Sequence, residues 1–198
     1  DGSVKTISIT RDVVRIEATF ARGAILKSKS GGGEVGYVHL PGFYGESKKP
    51  GERNATDDMR TILNQLTKKR VLAAVVQLMD RTFIRVGGER YRRDNGSFGA
   101  TTLRNRHVQV AGEEIVFDFR GKSGKRHRIE IEDARIASVI RRCLEYPGQL
   151  FVYHEEGEVK CISAADVNAY LAEASGRSVT SKDFRTWGGT VRAAEYLR

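Results

Sequence analysis

The sequence predicts an α+β protein: a β-rich N-terminal part, a long central helix or helix pair, and a mostly helical C-terminal part with a small three-stranded antiparallel sheet. Three observations predict this class. Apolar and polar residues alternate in the first forty positions, as in half-buried strands. Apolar residues then recur at helical spacing up to Met79. Beyond residue 106, three short strand-like runs precede three segments that begin with helix-capping residues.

The first part is rich in strand and turn signals. Residues 4–10 and 13–19 alternate between apolar and polar side chains, and residues 35–40 form a third predicted strand. Residues 28–33 read SKSGGG, which predicts a flexible turn, and residues 45–53 predict a polar loop.

A long helical stretch follows. It begins near residues 54–56, where Thr56 can cap the free N–H groups and Asp57 and Asp58 suit the positive end of the helix dipole. Apolar residues continue along one face to Met79, so the stretch is either one long helix or two helices with a break near Thr67.

The second part combines a small sheet with capped helices. Residues 87–100 are polar and predict an irregular segment. Three strands are predicted at 107–110, 114–120 and 126–131, with a hairpin turn at 121–125 between the last two. Three helices are predicted at 133–145, 163–175 and 180–196, each led by a capping residue: Asp133, Ser163 and Thr180.

Composition narrows the function classes. The net charge of +9 favours a polyanionic partner, and the bland alternative is a basic surface kept for solubility. Residues 69–198 hold 23 Lys and Arg against 17 Asp and Glu, so we place the polyanion there.

Cys143 and Cys161 lack partners at metal-ligand spacing, and we expect no metal and no cofactor. No apolar run reaches the roughly 18 residues of a membrane helix, and no signal peptide is visible, so we expect a cytoplasmic protein that does not contact membranes.

Four short stretches of the second part stand out in order and spacing. They are FIRVGGERY at 83–91, FGATTLRNRHV at 98–108, FRGKSGK at 119–125 and TSKDFRTW at 180–187. Together they resemble the catalytic core of a bacterial type IB DNA topoisomerase, over about residues 69–198. Such an enzyme exchanges a DNA phosphodiester for a phosphotyrosine ester.

The resemblance implies three catalytic residues. Arg85 and Arg185 would clamp the non-bridging phosphate oxygens with bidentate bonds, which lysine cannot match. Lys122, on the hairpin turn, would give a proton to the leaving 5′ oxygen. Judged singly, each has a plainer interpretation: Arg85 as a surface arginine closing a helix, Lys122 as an exposed turn lysine, and Arg185 as a partner of Asp183 or Glu195.

The resemblance also implies phosphate contacts from Tyr91, Thr102 and Lys182. Arg104, Arg106 and His107 either add to that surface or are simply solvated, and we count Arg104 among the predicted DNA-binding residues. Tyrosine recombinases would show histidine three residues before the second arginine, whereas topoisomerases show lysine, and this sequence has Lys182. The family's nucleophilic tyrosine has no counterpart, because Tyr196 lies too close to Arg185, and we expect no DNA cleavage.

The first part resembles another family. RDVV at 11–14, the strand at 35–40, PGFY at 41–44 and ATDDMR at 55–60 are similar to a tail-specific (carboxy-terminal processing) serine protease, over about residues 2–67. That family's catalytic serine and lysine have no counterpart, so no peptidase activity is expected. The alternative is an unrelated hairpin and helix. Two families meeting near residues 67–69 suggest a chimera of domains 1–68 and 69–198.

The favoured function is weak, non-sequence-specific binding of duplex DNA by a remnant topoisomerase core. Two alternatives stay open: a folded chimera without biochemical activity, and an active type IB topoisomerase whose native chain is longer. The open edges of an interrupted sheet also favour a homodimer formed by strand exchange.

Overall fold

The computed structural model describes residues 20–27, 34–45, 53–155 and 157–197. Within them the order is β1 (Arg22–Lys27), β2 (Glu34–His39), α1 (Ala55–Thr82), α2 (Glu89–Asn95), β3 (Val108–Ala111), β4 (Glu114–Arg120), β5 (Arg126–Glu132), α3 (Ala134–Cys143), β6 (Val152–Glu155), β7 (Glu158–Cys161), α4 (Ala164–Ser175) and α5 (Ser181–Tyr196). The α+β class is therefore confirmed. The predicted strands at 4–10 and 13–19 and the turn at 28–33 lie outside the described residues.

The chain divides into two compact units, residues 1–62 and 63–198. α1 runs through this boundary without interruption, so the stretch is one helix and the break considered near Thr67 does not occur. The Thr67 hydroxyl donates to the Leu63 carbonyl at 2.9 Å, one turn back along the helix. The predicted assignment of 1–68 and 69–198 to separate families stays a prediction.

The first unit is organised around Tyr44. β1 and β2 form an antiparallel hairpin, and β1 was not among the predicted strands. The Tyr44 hydroxyl accepts from the Ala21 N–H at 3.0 Å and donates to the Asp58 carboxylate at 2.5 Å. Burial raises the pKa of Tyr44, and the Asp58 carboxylate raises it further, so the phenol stays a proton donor. One residue thus joins the hairpin to the start of α1.

The N-cap of α1 is Asn54 rather than the predicted Thr56. The Asn54 side-chain oxygen accepts from the Asp57 N–H at 2.9 Å, and its amide donates to the Asp57 carboxylate at 2.7 Å. Thr56 lies inside the first turn. Asparagine and threonine both serve as caps, so the sequence alone did not separate the two positions.

The second unit has one continuous core. β3, β4 and β5 form an antiparallel sheet in that order, and β4 turns Ile115, Phe117 and Phe119 into the core. The remaining core residues come from the second half of α1, from the segment between α1 and β3, from β3, and from α3, α4 and the segment between those two helices. The largest fully buried ones include Leu78, Met79, Leu103, Ile136, Ile140, Leu150, Phe151 and Ile162. None of the described helices is both long and apolar enough to cross a membrane.

The three predicted caps of the later helices are confirmed. Asp133 accepts from the first turn of α3, Ser163 from the Asp166 N–H, and Thr180 from the Asp183 N–H. Asp166 also pairs with Lys68 at 2.6 Å, which ties α4 to α1.

Two elements of the second unit contradict or extend the predictions. α2 forms inside residues 87–100, which were predicted to be irregular. The sequence gives no sign of this helix, because its seven residues bury no side chain and so show no apolar periodicity. The β6–β7 hairpin was not predicted: its strands have four residues each, and β7 is exposed along its whole length.

Candidate functional site

The loop that follows α1 presents Arg85. Phe83 still donates its N–H to the Met79 carbonyl at 2.9 Å, but its φ of +53° turns the chain away from the helix axis. This left-handed conformation usually falls to glycine at a helix end and costs roughly 1 kcal/mol for another residue. Ile84 is buried and Arg85 is exposed, so the turn anchors one residue and directs the next to the surface.

A second segment holds this loop in place. The Arg85 carbonyl accepts from the Ala100 N–H at 2.8 Å, and the Val86 carbonyl accepts from the Thr101 N–H at 2.7 Å. Gly99 allows the approach, because a Cβ atom there would lie 2.5 Å from the Arg85 carbonyl oxygen. The backbone of Arg85 is therefore fixed by paired hydrogen bonds while its side chain is free to meet a ligand.

The start of α5 supplies two more cations. The Asn168 side chain accepts from the Ser181 N–H at 2.9 Å, which joins α5 to α4. Lys182 and Arg185, three residues apart, lie on one face of α5. The Arg185 Nε–H donates to the Phe83 carbonyl at 2.8 Å, so α5 also meets the end of α1.

These elements enclose an open cavity of about 370 Å³. Its lining includes Arg85, Lys182 and Arg185, together with Phe83, Val86 and Ser181. Among the residues that the structure describes, no carboxylate pairs with any of the three cations: the plainer interpretation of Arg185 as a partner of Asp183 or Glu195 is not what the structure shows.

The electrostatics of the cavity favour an anion. Burial lowers the pKa of Arg185, and the neighbouring Arg85 guanidinium lowers it further. An arginine keeps its charge at neutral pH despite such a shift, so the two guanidiniums repel each other in the free protein. An anion between them would relieve this repulsion, and a phosphate oxygen pair matches the guanidinium fork.

Lys122 lies apart from this cavity. It stands at the tip of the β4–β5 hairpin, in a turn closed by the Gly121 N–H donating to the Lys125 carbonyl at 2.7 Å. Its side chain is exposed and is not among the residues that line the cavity. The turn end of the hairpin is joined to the segment holding Arg85, because the Phe98 N–H donates to the Arg120 carbonyl at 2.7 Å, two residues before Lys122.

The predicted DNA-contact residues differ in placement. Tyr91 projects from α2 with 57% of its surface exposed, and Arg104 is half-buried. Thr102 is 4% exposed, and its hydroxyl exchanges hydrogen bonds with the Gly99 backbone, so its side chain fixes a turn instead of facing solvent. The phosphate contacts of these residues stay predictions.

His107, considered as a surface residue, is buried. Its Nδ1 accepts from the Arg104 N–H at 3.0 Å, and its ring packs edge-on against Phe98 with 4.3 Å between centroids. Burial lowers the pKa of His107, and Arg106 and Arg104 lower it further. It is therefore a neutral support beneath the segment that carries Gly99.

Sequence reasoning missed Phe83 and Gly188. Phe83 contacts Arg185 through its carbonyl, and a Cβ added to Gly188 would lie 2.3 Å from its ring. A glycine pair inside a predicted helix was the available signal for Gly188, since glycine weakens a helix interior without a packing reason. No local signal marks a phenylalanine in the left-handed region.

The fold and the cavity define an α+β protein with three cationic side chains around one open cavity. The chain belongs to the family described as eukaryotic DNA topoisomerase I, catalytic core, whose model matches residues 53–198. The type IB topoisomerase resemblance of the second part is thereby confirmed.

Curated relatives agree with this family. DNA topoisomerase 1B of Acanthamoeba polyphaga mimivirus is 35% identical over 130 residues, covering 63% of this chain and 39% of that protein. DNA topoisomerase 1 of Daucus carota is 29% identical over 137 residues, covering 67% of this chain and 16% of that protein. DNA topoisomerase 1B of Vaccinia virus (strain Copenhagen) is 33% identical over 73 residues, or 36% of this chain and 23% of that protein. The chain thus spans well under half the length of these relatives.

The comparisons give no support to the protease resemblance of residues 2–67. The family match begins at Arg53 and runs across the predicted junction at 67–69 without a break. The chimeric origin accordingly rests on the sequence resemblance of the first part alone.

Proposed function

We propose that the cavity binds a phosphodiester group of duplex DNA, and that the second unit is a non-sequence-specific DNA-binding core of a type IB topoisomerase. The observation that carries this proposal is the meeting of Arg85, Lys182 and Arg185 in one open cavity with no carboxylate pairing with them among the described residues. Backbone phosphates are present at every step of a duplex, so such a site binds without reading sequence.

The proposed chemistry follows from the cation types. In phosphoryl transfer the extra negative charge gathers on the non-bridging oxygens, and preorganised guanidiniums stabilise it. Arg185 has its Nε engaged by Phe83, which leaves both terminal nitrogens for the phosphate. Lys122 is the proposed general acid for the leaving 5′ oxygen.

The polypeptide of residues 1–198 is proposed to bind DNA without breaking it. Its sequence contains seven tyrosines, all within the described ranges, and none lines the cavity. Tyr196, on the last turn of α5, has 89% of its surface exposed. A second candidate, an active topoisomerase, requires a tyrosine from outside these residues; the greater length of the relatives favours testing it.

Fluorescence anisotropy with a labelled duplex tests the proposal. Wild type should bind weakly, in the non-specific range of roughly 10⁻⁴ to 10⁻⁶ M, with a log–log salt slope of about −0.9 per phosphate neutralised. The Arg85→Ala/Arg185→Ala variant should bind more weakly on every sequence and show a flatter slope. Arg70→Ala/Arg142→Ala removes equal charge from exposed residues that do not line the cavity, and is the matched control.

Equal losses in both double variants would show that net charge, not the cavity, holds the DNA. A plasmid relaxation assay separates the two candidates: the 198-residue polypeptide should leave supercoiled plasmid unchanged, and relaxation would overturn the binding-only proposal. A homodimer formed by strand exchange stays a prediction, checked by light scattering on a sizing column.

A further inference from the structure

One face of α5 makes three different contacts with Phe83. Arg185 donates its Nε–H to the Phe83 carbonyl at 2.8 Å. Gly188 receives the ring so closely that a Cβ there would lie 2.3 Å from Cε1 and 3.2 Å from Cδ1. The Arg192 guanidinium lies over the ring, 5.0 Å from its centroid. The spacing i, i+3, i+7 puts all three on the same side of the helix.

The backbone of Phe83 is set by the end of α1. Its φ of +53° directs the carbonyl toward α5 and the following residues, Ile84 and Arg85, into the segment that lines the cavity. The same residue therefore touches Arg185 directly and leads into Arg85 two positions later. A change in the distance between α5 and Phe83 would change the separation of the two guanidiniums.

We propose that Phe83, seated on Gly188, is the positioning residue that sets Arg185 against Arg85. This inference rests on the proposed phosphate site and names how that site is assembled. Two guanidiniums without an anion between them repel, and a long side chain on a helix has many rotamers in which to move away. The carbonyl bond fixes the Arg185 head, and the glycine lets α5 come close enough for that bond to form.

The Gly188→Ala variant tests the contact between the Phe83 ring and Gly188. The added methyl would lie 2.3 Å from the ring, so the ring or α5 must shift, and a shift of α5 would lengthen the Nε bond and move Arg185. We expect DNA affinity to fall about tenfold, the size of one charged hydrogen bond lost, and the salt slope to flatten by about 0.9. Placed on Arg185→Ala, the same change should cost nothing further, because the residue it misplaces is already absent.

A rescue variant guards against simple misfolding. Phe83→Leu removes Cε1 and Cζ, two of the three ring atoms that the methyl would meet, and keeps the carbonyl. Phe83→Leu/Gly188→Ala should therefore recover at least half of the logarithmic affinity loss of Gly188→Ala. An unchanged affinity in Gly188→Ala, an equal loss on the Arg185→Ala background, or no rescue each overturns the positioning role. Failure of the proposed function looks different: wild type would not bind, or Arg185→Ala would bind as tightly as wild type.

Discussion

Two cationic regions of the second unit are both predicted to contact DNA, and the structure holds their side chains in different ways. Around Arg85 and Arg185, backbone hydrogen bonds from Ala100 and to Phe83 hold each arginine in place. At the tip of the β4–β5 hairpin, the Lys122 side chain is exposed and has no hydrogen bond or ion pair to another described residue. Under the proposed function, a held pair of cations is suited to binding a phosphate, and an exposed lysine can reach bound DNA without first breaking other bonds.

The largest expected effect comes from disrupting the backbone contact that holds the Arg85 loop, and it is an effect on stability. Gly99→Ala places a methyl 2.5 Å from the Arg85 carbonyl oxygen and 2.6 Å from the Gly87 backbone. Overpacking of this kind costs about 1–3 kcal/mol, so the thermal midpoint should fall by several degrees. Gly88→Ala is the matched control, since nothing lies within 4 Å of a Cβ there. Equal midpoints for the two variants would show that the loop is not held as described.

Replacing Arg185 with lysine sharpens the comparison, because the charge stays and the geometry is lost. Lysine offers neither the Nε bond to Phe83 nor a fork for two phosphate oxygens. We expect about a tenfold weaker affinity by anisotropy, the effect of one charged hydrogen bond. Arg142→Lys on α3 should bind like wild type. If Arg185→Lys also binds like wild type, charge alone suffices at this position.

The contribution of the buried His107 to stability should depend on pH. Because burial depresses the pKa of His107 below its unfolded value of 6.5, the unfolded chain takes up a proton before the folded one does. The contribution of His107 to stability is therefore unchanged above that value and becomes less favourable as pH falls below it. His107→Asn, whose side-chain oxygen can still accept from Arg104, should show a smaller drop in thermal midpoint between pH 7.5 and about 5.5. If the thermal midpoints of wild type and His107→Asn fall in parallel as pH is lowered, His107 is not the source of the pH dependence.

Lys122→Ala carries the smallest expected effect. Since Lys122 lies outside the cavity lining, its removal should change duplex affinity by less than about twofold and leave the salt slope nearly unchanged. Lys182→Ala, which removes a cation from the lining, should flatten the slope by about 0.9. A larger loss of DNA affinity for Lys122→Ala than for Lys182→Ala would contradict the proposal that the cavity, and not the hairpin tip, binds the phosphate.

Much of the second unit was predictable from sequence because its signals are local. The strand at 114–120 was predicted with the bounds it has, since Ile115, Phe117 and Phe119 alternate and a glycine-containing turn follows. The caps at Asp133, Ser163 and Thr180 each bond to a backbone N–H within three residues. Such features need no knowledge of distant parts of the chain.

The features that escaped prediction depend on contacts between distant residues or on weak patterns. α2 buries nothing, and β7 is exposed throughout, so neither shows an apolar period. Thr102 reads as a surface threonine, but packing against the Arg85 segment buries it. The three cations of the cavity were predicted from motif resemblance, whereas the means of holding Arg185, the Phe83 carbonyl 102 positions away, carries no local signal.

A crystal structure of residues 1–198 with a short DNA duplex tests the central claim most directly. We expect one backbone phosphate in the cavity, with its non-bridging oxygens within about 3 Å of the guanidinium nitrogens of both Arg85 and Arg185, and Lys182 beside the same or the next phosphate. A duplex seated on another face, with the cavity empty of phosphate, would contradict the account.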